Sequence, residues 1–169
     1  RHYRGVLTER DTWVIMLVYS ITFGGFVGMS SYVTTLLISL YGMPRIEAGL
    51  FMSLLAFLGA LVRPIGGLVA DRISGVRALV LLLAAISVID FVFAAWMPPQ
   101  GAGIALLVLV YLCFGLGNGA TFQLVPQRWQ GKTGLMSGII GAAGGIGGFY
   151  LPVIMGIAKE STGSYQMGF

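Results

Sequence analysis

The sequence predicts an all-α integral membrane protein, a bundle of five apolar helices that each cross a bilayer. Three observations carry that prediction. Hydrophobic residues make up 57% of the chain and charged residues 9%, where a soluble domain carries about a quarter charged residues. Mean hydropathy is +0.90. The apolar residues also gather into five runs, each long enough to cross about 30 Å of hydrocarbon as a helix.

The runs cover about 12–41, 48–70, 78–97, 102–124 and 133–158. The first is long for one crossing, so it tilts or ends near Leu40. Short connections at 42–47, 71–77, 98–101 and 125–132 make successive helices antiparallel. One side of the membrane then collects Arg1, Arg4, Arg10, Arg72, Arg77, Arg128 and Lys132, and the other only Arg45 and Lys159. By the positive-inside rule, the basic linker 1–11 is cytoplasmic and 159–169 extracytoplasmic. Trp13, Trp96 and Trp129 fall at helix ends, as an interfacial aromatic belt requires.

The second run contains Arg63, followed by Pro64. An arginine at the centre of a spanning helix costs about 2.5–3.5 kcal/mol, so it must face a partner or water. No acid lies at helical spacing from it in the same run. Two readings remain open: an ion pair with another helix, or an anion-binding guanidinium whose planar fork suits a planar oxyanion. Helical rise places Arg63 roughly 12 Å from the cytoplasmic end, with Tyr19 roughly 9 Å, Phe23 roughly 15 Å and Asn118 roughly 13 Å deep. Tyr19 and Phe23 are four apart and share a face, which fits packing as well as a ligand clamp.

The loop after the second run carries Gly67, Asp71, Arg72, Ser74, Gly75 and Arg77. Asp71 is placed to cap the next helix and to pair with Arg72 or Arg77. A plain positive-inside turn is the alternative. In the third run, Asp90 is the second intramembrane acid-or-base position, open to a proton-relay role, to a local partner or to a protonated acid.

In the fifth run Gly134, Gly138, Gly141, Gly145 and Gly148 recur at steps of four and three, on one helical face. Each helical glycine costs about 1 kcal/mol relative to alanine. Close helix approach is the usual compensation in lipid. That reading has Gly138, Gly141, Gly145 and Gly148 against a neighbour, with Gly144 and Gly147 off the line. A smooth path for a small solute is the other. Gly141 and Gly145 lie roughly 10 and 16 Å deep, in the layer of Arg63.

Other chemistries are not supported. Cys113 is the single cysteine and lies in an apolar run as an inert thiol. His2, the single histidine, falls in the linker, so no histidine triad or metal cluster is available. Gly115, Gly117 and Gly119 lack the strand–turn–helix unit of a dinucleotide loop. Glu9 and Asp11 read as solvated charges. The net charge of +4 follows topology, not nucleic acid. Nothing argues for an enzyme or a cofactor.

The segment from Gly67 through Asp71 and Arg72 to Arg77 resembles the cytoplasmic G-x-x-x-D-R loop of the major facilitator superfamily, with Ser74 and Gly75 where that family often has Gly and Arg. Residues 141–152, from Gly141 through Gly144, Gly145 and Gly148 to Pro152, resemble the second glycine-rich signature of its nitrate/nitrite porter (NarK-type) family. The stretch 117–126 around Asn118, the Tyr19–Phe23 pair and Arg63 are similar to positions of that family as well. The resemblance covers essentially the whole chain. It implies the C-terminal half of a secondary transporter, truncated to five of six helices, with a sixth beginning at Gly168. It implies nitrate and/or nitrite as substrate, with protons as a further coupling partner, in the cell membrane. Arg63 would bind the anion together with an arginine of the missing N-terminal half. Tyr19, Phe23, Asn118, Gly141, Gly144 and Gly145 would enclose it, and Gly67, Asp71, Arg72, Arg77, Gly138, Gly148 and Pro152 would serve gating. A facilitator for another small anion, a sugar or a drug stays open, as does a non-transporting sensor on the same fold.

Overall fold

The computed structural model describes residues 2–164, with side chains from residue 5 onward. The place expected for a sixth helix, from Gly168, lies outside the described residues. Among the described residues the chain forms helices α1 (His2–Leu7), α2 (Arg10–Tyr41), α3 (Arg45–Leu61), α4 (Arg63–Ile73), α5 (Gly75–Trp96), α6 (Gln100–Arg128) and α7 (Thr133–Thr162), and no strand. Five spans are long and apolar enough to cross a membrane: α2, α3 with α4, α5, α6 and α7.

Two elements differ from the sequence reading. The basic linker 1–11 carries a short helix of its own, α1, and α2 begins at Arg10, two residues before the expected start. The second span is interrupted at Val62, where α3 ends and α4 begins. Pro64 explains the break, because it has no N–H for the carbonyl four residues earlier and its ring collides with that turn. Arg63 is therefore the first residue of a new helix, at the point where the ladder is open.

α6 is the hub of the bundle, touching α2, α3, α4, α5 and α7, while α2 and α7 form the most extensive pairing. The largest apolar cluster joins α2 to α3 and α6 through Phe26, Leu36, Leu37, Leu55, Val110 and Tyr111. Glycine allows the closest crossings. A Cβ at Gly24 of α2 would lie 2.6 Å from the Gly147 backbone of α7, so both helices meet main chain to main chain. Across the molecule, Gly66 and Gly119 let α4 meet the α6 backbone at Leu116 and Arg63 meet α6 at Gly119.

The face of α7 that makes this contact corrects the expectation from spacing. Gly144, Gly147 and Gly148 meet α2, through Tyr19 and Phe23, Ser20, and Val27 respectively. Gly134, Gly138, Gly141 and Gly145 have open space where a Cβ would stand. Gly28 of α2 meets Leu151 and Pro152, so the proline within α7 also sits against this seam.

The end where α2 begins carries a polar clasp. Asp11 and Glu9 are not free solvated charges: Arg128 Nε donates to Asp11 Oδ2 at 2.7 Å, and Trp129 Nε1 donates to Glu9 Oε2 at 2.9 Å. The Arg128 guanidinium also lies 3.6 Å from Glu9 and 5.6 Å from the Trp129 ring centroid. Beneath it, Val6 of α1 is fully buried in a cluster with Tyr19, Val125, Trp129, Met136 and Ile140. Trp129 is thus buried, while Trp13 and Trp96 are exposed at 57% and 60%, as a lipid-facing belt requires.

Asp71 also departs from its expected role. It lies in the last turn of α4 and accepts a hydrogen bond from Gln123 Nε2 of α6. The cap of α5 falls to Ser74, without a side-chain cap bond. Among the described residues Asp71 forms no ion pair with Arg72 or Arg77, which are both exposed. Ser74 has φ +82°, a conformation that glycine adopts freely and other residues rarely do.

Candidate functional site

The break before α4 aims Arg63 across the bundle at α2. Its guanidinium carbon lies 5.6 Å from the centroid of Phe23 and 5.1 Å from that of Phe26. Tyr19 extends this array, stacking on Phe23 at 5.2 Å with the planes 4° apart. Phe122 of α6 meets Tyr19 edge-on at 5.0 Å. On the far side, a Cβ at Gly144 would lie 2.7 Å from Tyr19 and 2.8 Å from Phe23. Glycine there is what lets α7 support the two rings.

No carboxylate among the described residues pairs with Arg63, and its Nε is buried without a hydrogen-bond partner. Contact with two ring faces returns about 1–2 kcal/mol each in a desolvated setting. That offsets much of the cost of placing the guanidinium at this depth, yet leaves its N–H donors unspent. Asn118 of α6 is 2% exposed and neither amide atom has a partner. Thr22 of α2 is fully buried with its hydroxyl unpaired.

The structure therefore brings Arg63, Tyr19, Phe23 and Gly144 into one group, with Asn118 on the adjoining face of α6. Gly141 and Gly145 are not part of that contact; they lie on the open side of α7, as does Gly138. Gly148 and Pro152 belong to the α2 seam, Gly67 lies midway along α4 facing Gly119 of α6, Asp71 and Arg72 lie in the last turn of α4, and Arg77 lies in the first turn of α5. Phe26, Phe122 and Thr22 were missed by the sequence reading. Phe26 lies three residues beyond Phe23, so helical spacing offered a signal for it. Thr22 offered none.

Asp90 is not in this group. It lines a separate cavity of about 280 Å³ between α2, α5, α6 and α7, with Ser20, Met29, Phe114, Tyr150 and Met155. That cavity shares no lining residue with the Arg63 array.

The Arg63 guanidinium thus lies over two aromatic rings, with its Nε buried and no hydrogen-bond or ion-pair partner among the described residues. Residues 1–152 match the Major Facilitator Superfamily. The chain belongs to that superfamily. This facilitator chain is 34% identical over 166 residues to the nitrite extrusion protein of Bacillus subtilis, covering 98% of this chain and 42% of the relative. It is 35% identical over 159 residues to the probable nitrate/nitrite transporter NarK2 of Mycobacterium tuberculosis, covering 93% and 40%. The probable nitrate/nitrite antiporter NarK1 of Thermus thermophilus is 29% identical over 175 residues. The chain spans about two fifths of the length of these relatives.

Proposed function

We propose that this chain is the C-terminal part of a secondary transporter that carries nitrate and/or nitrite across the cell membrane by alternating access. The observation that carries the reading is Arg63, set at a helix break between Phe23 and Phe26 with its Nε buried and unpaired. The names of the relatives supply the anion. Arg63 holds two oxygens of the planar anion through parallel N–H···O bonds. Tyr19 and Phe23 wall the site, Asn118 adds an amide, and Gly144 keeps the wall in place. An arginine from the N-terminal half completes the charge.

The open side of α7, with Gly138, Gly141 and Gly145, faces that missing half and slides against it with no side chains to repack. The Gly148 and Pro152 seam and the Gly67, Asp71, Arg72 and Arg77 segment take part in gating. Basic-residue placement supports residues 1–11 as cytoplasmic and 159–169 as extracytoplasmic.

Uptake of isotopically labelled nitrate and nitrite into proteoliposomes of the full-length protein tests the reading. Saturable flux of either anion is expected. Absence of both, with flux of a larger organic anion or a sugar, would replace it. Binding without flux would make the protein a sensor. Counter-loading with nitrite and an imposed proton gradient separate exchange from symport.

A further inference from the structure

Thr22 and Asn118 are buried polar side chains without partners, the Nε of half-buried Arg63 is likewise buried and unpaired, and the three residues come from helices α2, α6 and α4. Buried polar groups are almost always hydrogen-bonded, so three together mark a place built for something polar.

The register of α6 against α2 shows that they converge. Tyr111 of α6 lies against Phe26 of α2, with ring centroids 5.4 Å apart. Phe122, three turns on, meets Tyr19. Between these contacts a Cβ at Gly117 would lie 3.0 Å from the Thr22 methyl, and Gly119 abuts the Arg63 carbonyl. Asn118 stands between those two glycines. Seven residues separate it from Tyr111, so it faces the same way, toward the α2 stretch that holds Thr22, Phe23 and Phe26. Arg63 covers the rings of that same stretch.

We propose that Thr22 and Asn118 form a neutral donor pair that favours nitrate over nitrite at the Arg63 site. This rests on the anion-transport reading above. A guanidinium fork grips two oxygens, and both anions have two. Only nitrate has a third oxygen. The Thr22 hydroxyl and the Asn118 Nδ2 are neutral donors, suited to an oxygen that shares a single negative charge with two others. Nitrite presents no oxygen there and leaves buried donors unpaired, which is how a polar site rejects a smaller analogue. Neither donor adds charge, so the pair changes which anion is preferred without strengthening the hold on anions in general.

The test is binding of nitrate and nitrite to the full-length transporter, measured for wild type, Thr22→Val, Thr22→Ser and Arg63→Lys. Valine keeps the shape and removes the hydroxyl; serine keeps the hydroxyl. The expected result is that Thr22→Val weakens nitrate binding about tenfold and nitrite binding less than about twofold, while Thr22→Ser stays near wild type. Equal losses for both anions, no loss for either, or failure of serine to restore nitrate binding would overturn the proposal. If Arg63→Lys weakens both anions and Thr22→Val neither, the transport reading stands and the selective pair is rejected. A wild-type protein that binds neither anion overturns the transport reading first.

Discussion

At the end where α2 begins, Glu9, Asp11, Arg128 and Trp129 satisfy one another through two hydrogen bonds and an ion pair. Halfway along the bundle, Arg63, Thr22 and Asn118 keep donors with no protein partner. The first group is half in water, where charges are cheap and pairing adds little. In the second, the Thr22 hydroxyl, the Asn118 amide and the Arg63 Nε are buried, where leaving polar atoms open is costly; on the proposed reading a bound anion fills them. On that reading the difference separates polar residues that hold the chain together from polar residues reserved for a ligand.

The contrast can be broken most severely at the seam where α7 crosses α2. Gly147→Leu drives a side chain into the α2 backbone at Ser20. We expect a loss of more than about 3 kcal/mol, from overpacking against main chain that cannot move aside, read as loss of folded full-length protein in size-exclusion profiles. Gly145→Leu meets open space within this chain, so its effect is expected on anion flux, through the face proposed to slide against the N-terminal half, and wild-type flux would contradict that placement. The clasp should respond more weakly. Glu9→Ala removes the carboxylate that accepts from Trp129 and lies near Arg128 while leaving the apolar cluster intact, and should cost about 1 kcal/mol, seen as a small fall in the melting temperature with nitrate affinity unchanged. Asp11→Asn should be smaller again, and its effect should vanish in high salt. A large change in anion affinity from either clasp variant would dissolve the distinction between the two regions.

Much of the fold was legible because the membrane imposes a local cost. Five apolar runs and the exclusion of charge from them need no knowledge of tertiary contacts, and Arg63 stood out for the same reason. Its setting was harder to read. Pro64 was visible, but prolines are tolerated within spanning helices, so the sequence did not distinguish a kink from the break observed after Leu61. Glycine spacing on α7 identified residues that share a face, yet not which face has a neighbour. The answer lay on α2, where Gly24 and Gly28 offer the complementary surface. The clasp joins Asp11 to Arg128, 117 positions apart, beyond any local pattern. Tyr19 and Phe23 were read as a pair from helical spacing, and they stack. Phe122 and Thr22 depend on the register of α6 against α2, which only packing determines.

The central claim is that Arg63 holds its partnerless position in order to bind a planar anion through two parallel hydrogen bonds. Calorimetric titration of nitrate into the full-length transporter, wild type against Arg63→Lys, tests it most directly. Lysine keeps the charge and loses the fork, so the expected result is a loss of affinity of at least about tenfold, or about 1.4 kcal/mol, with the melting temperature little changed. Wild-type affinity in the lysine variant would contradict the account.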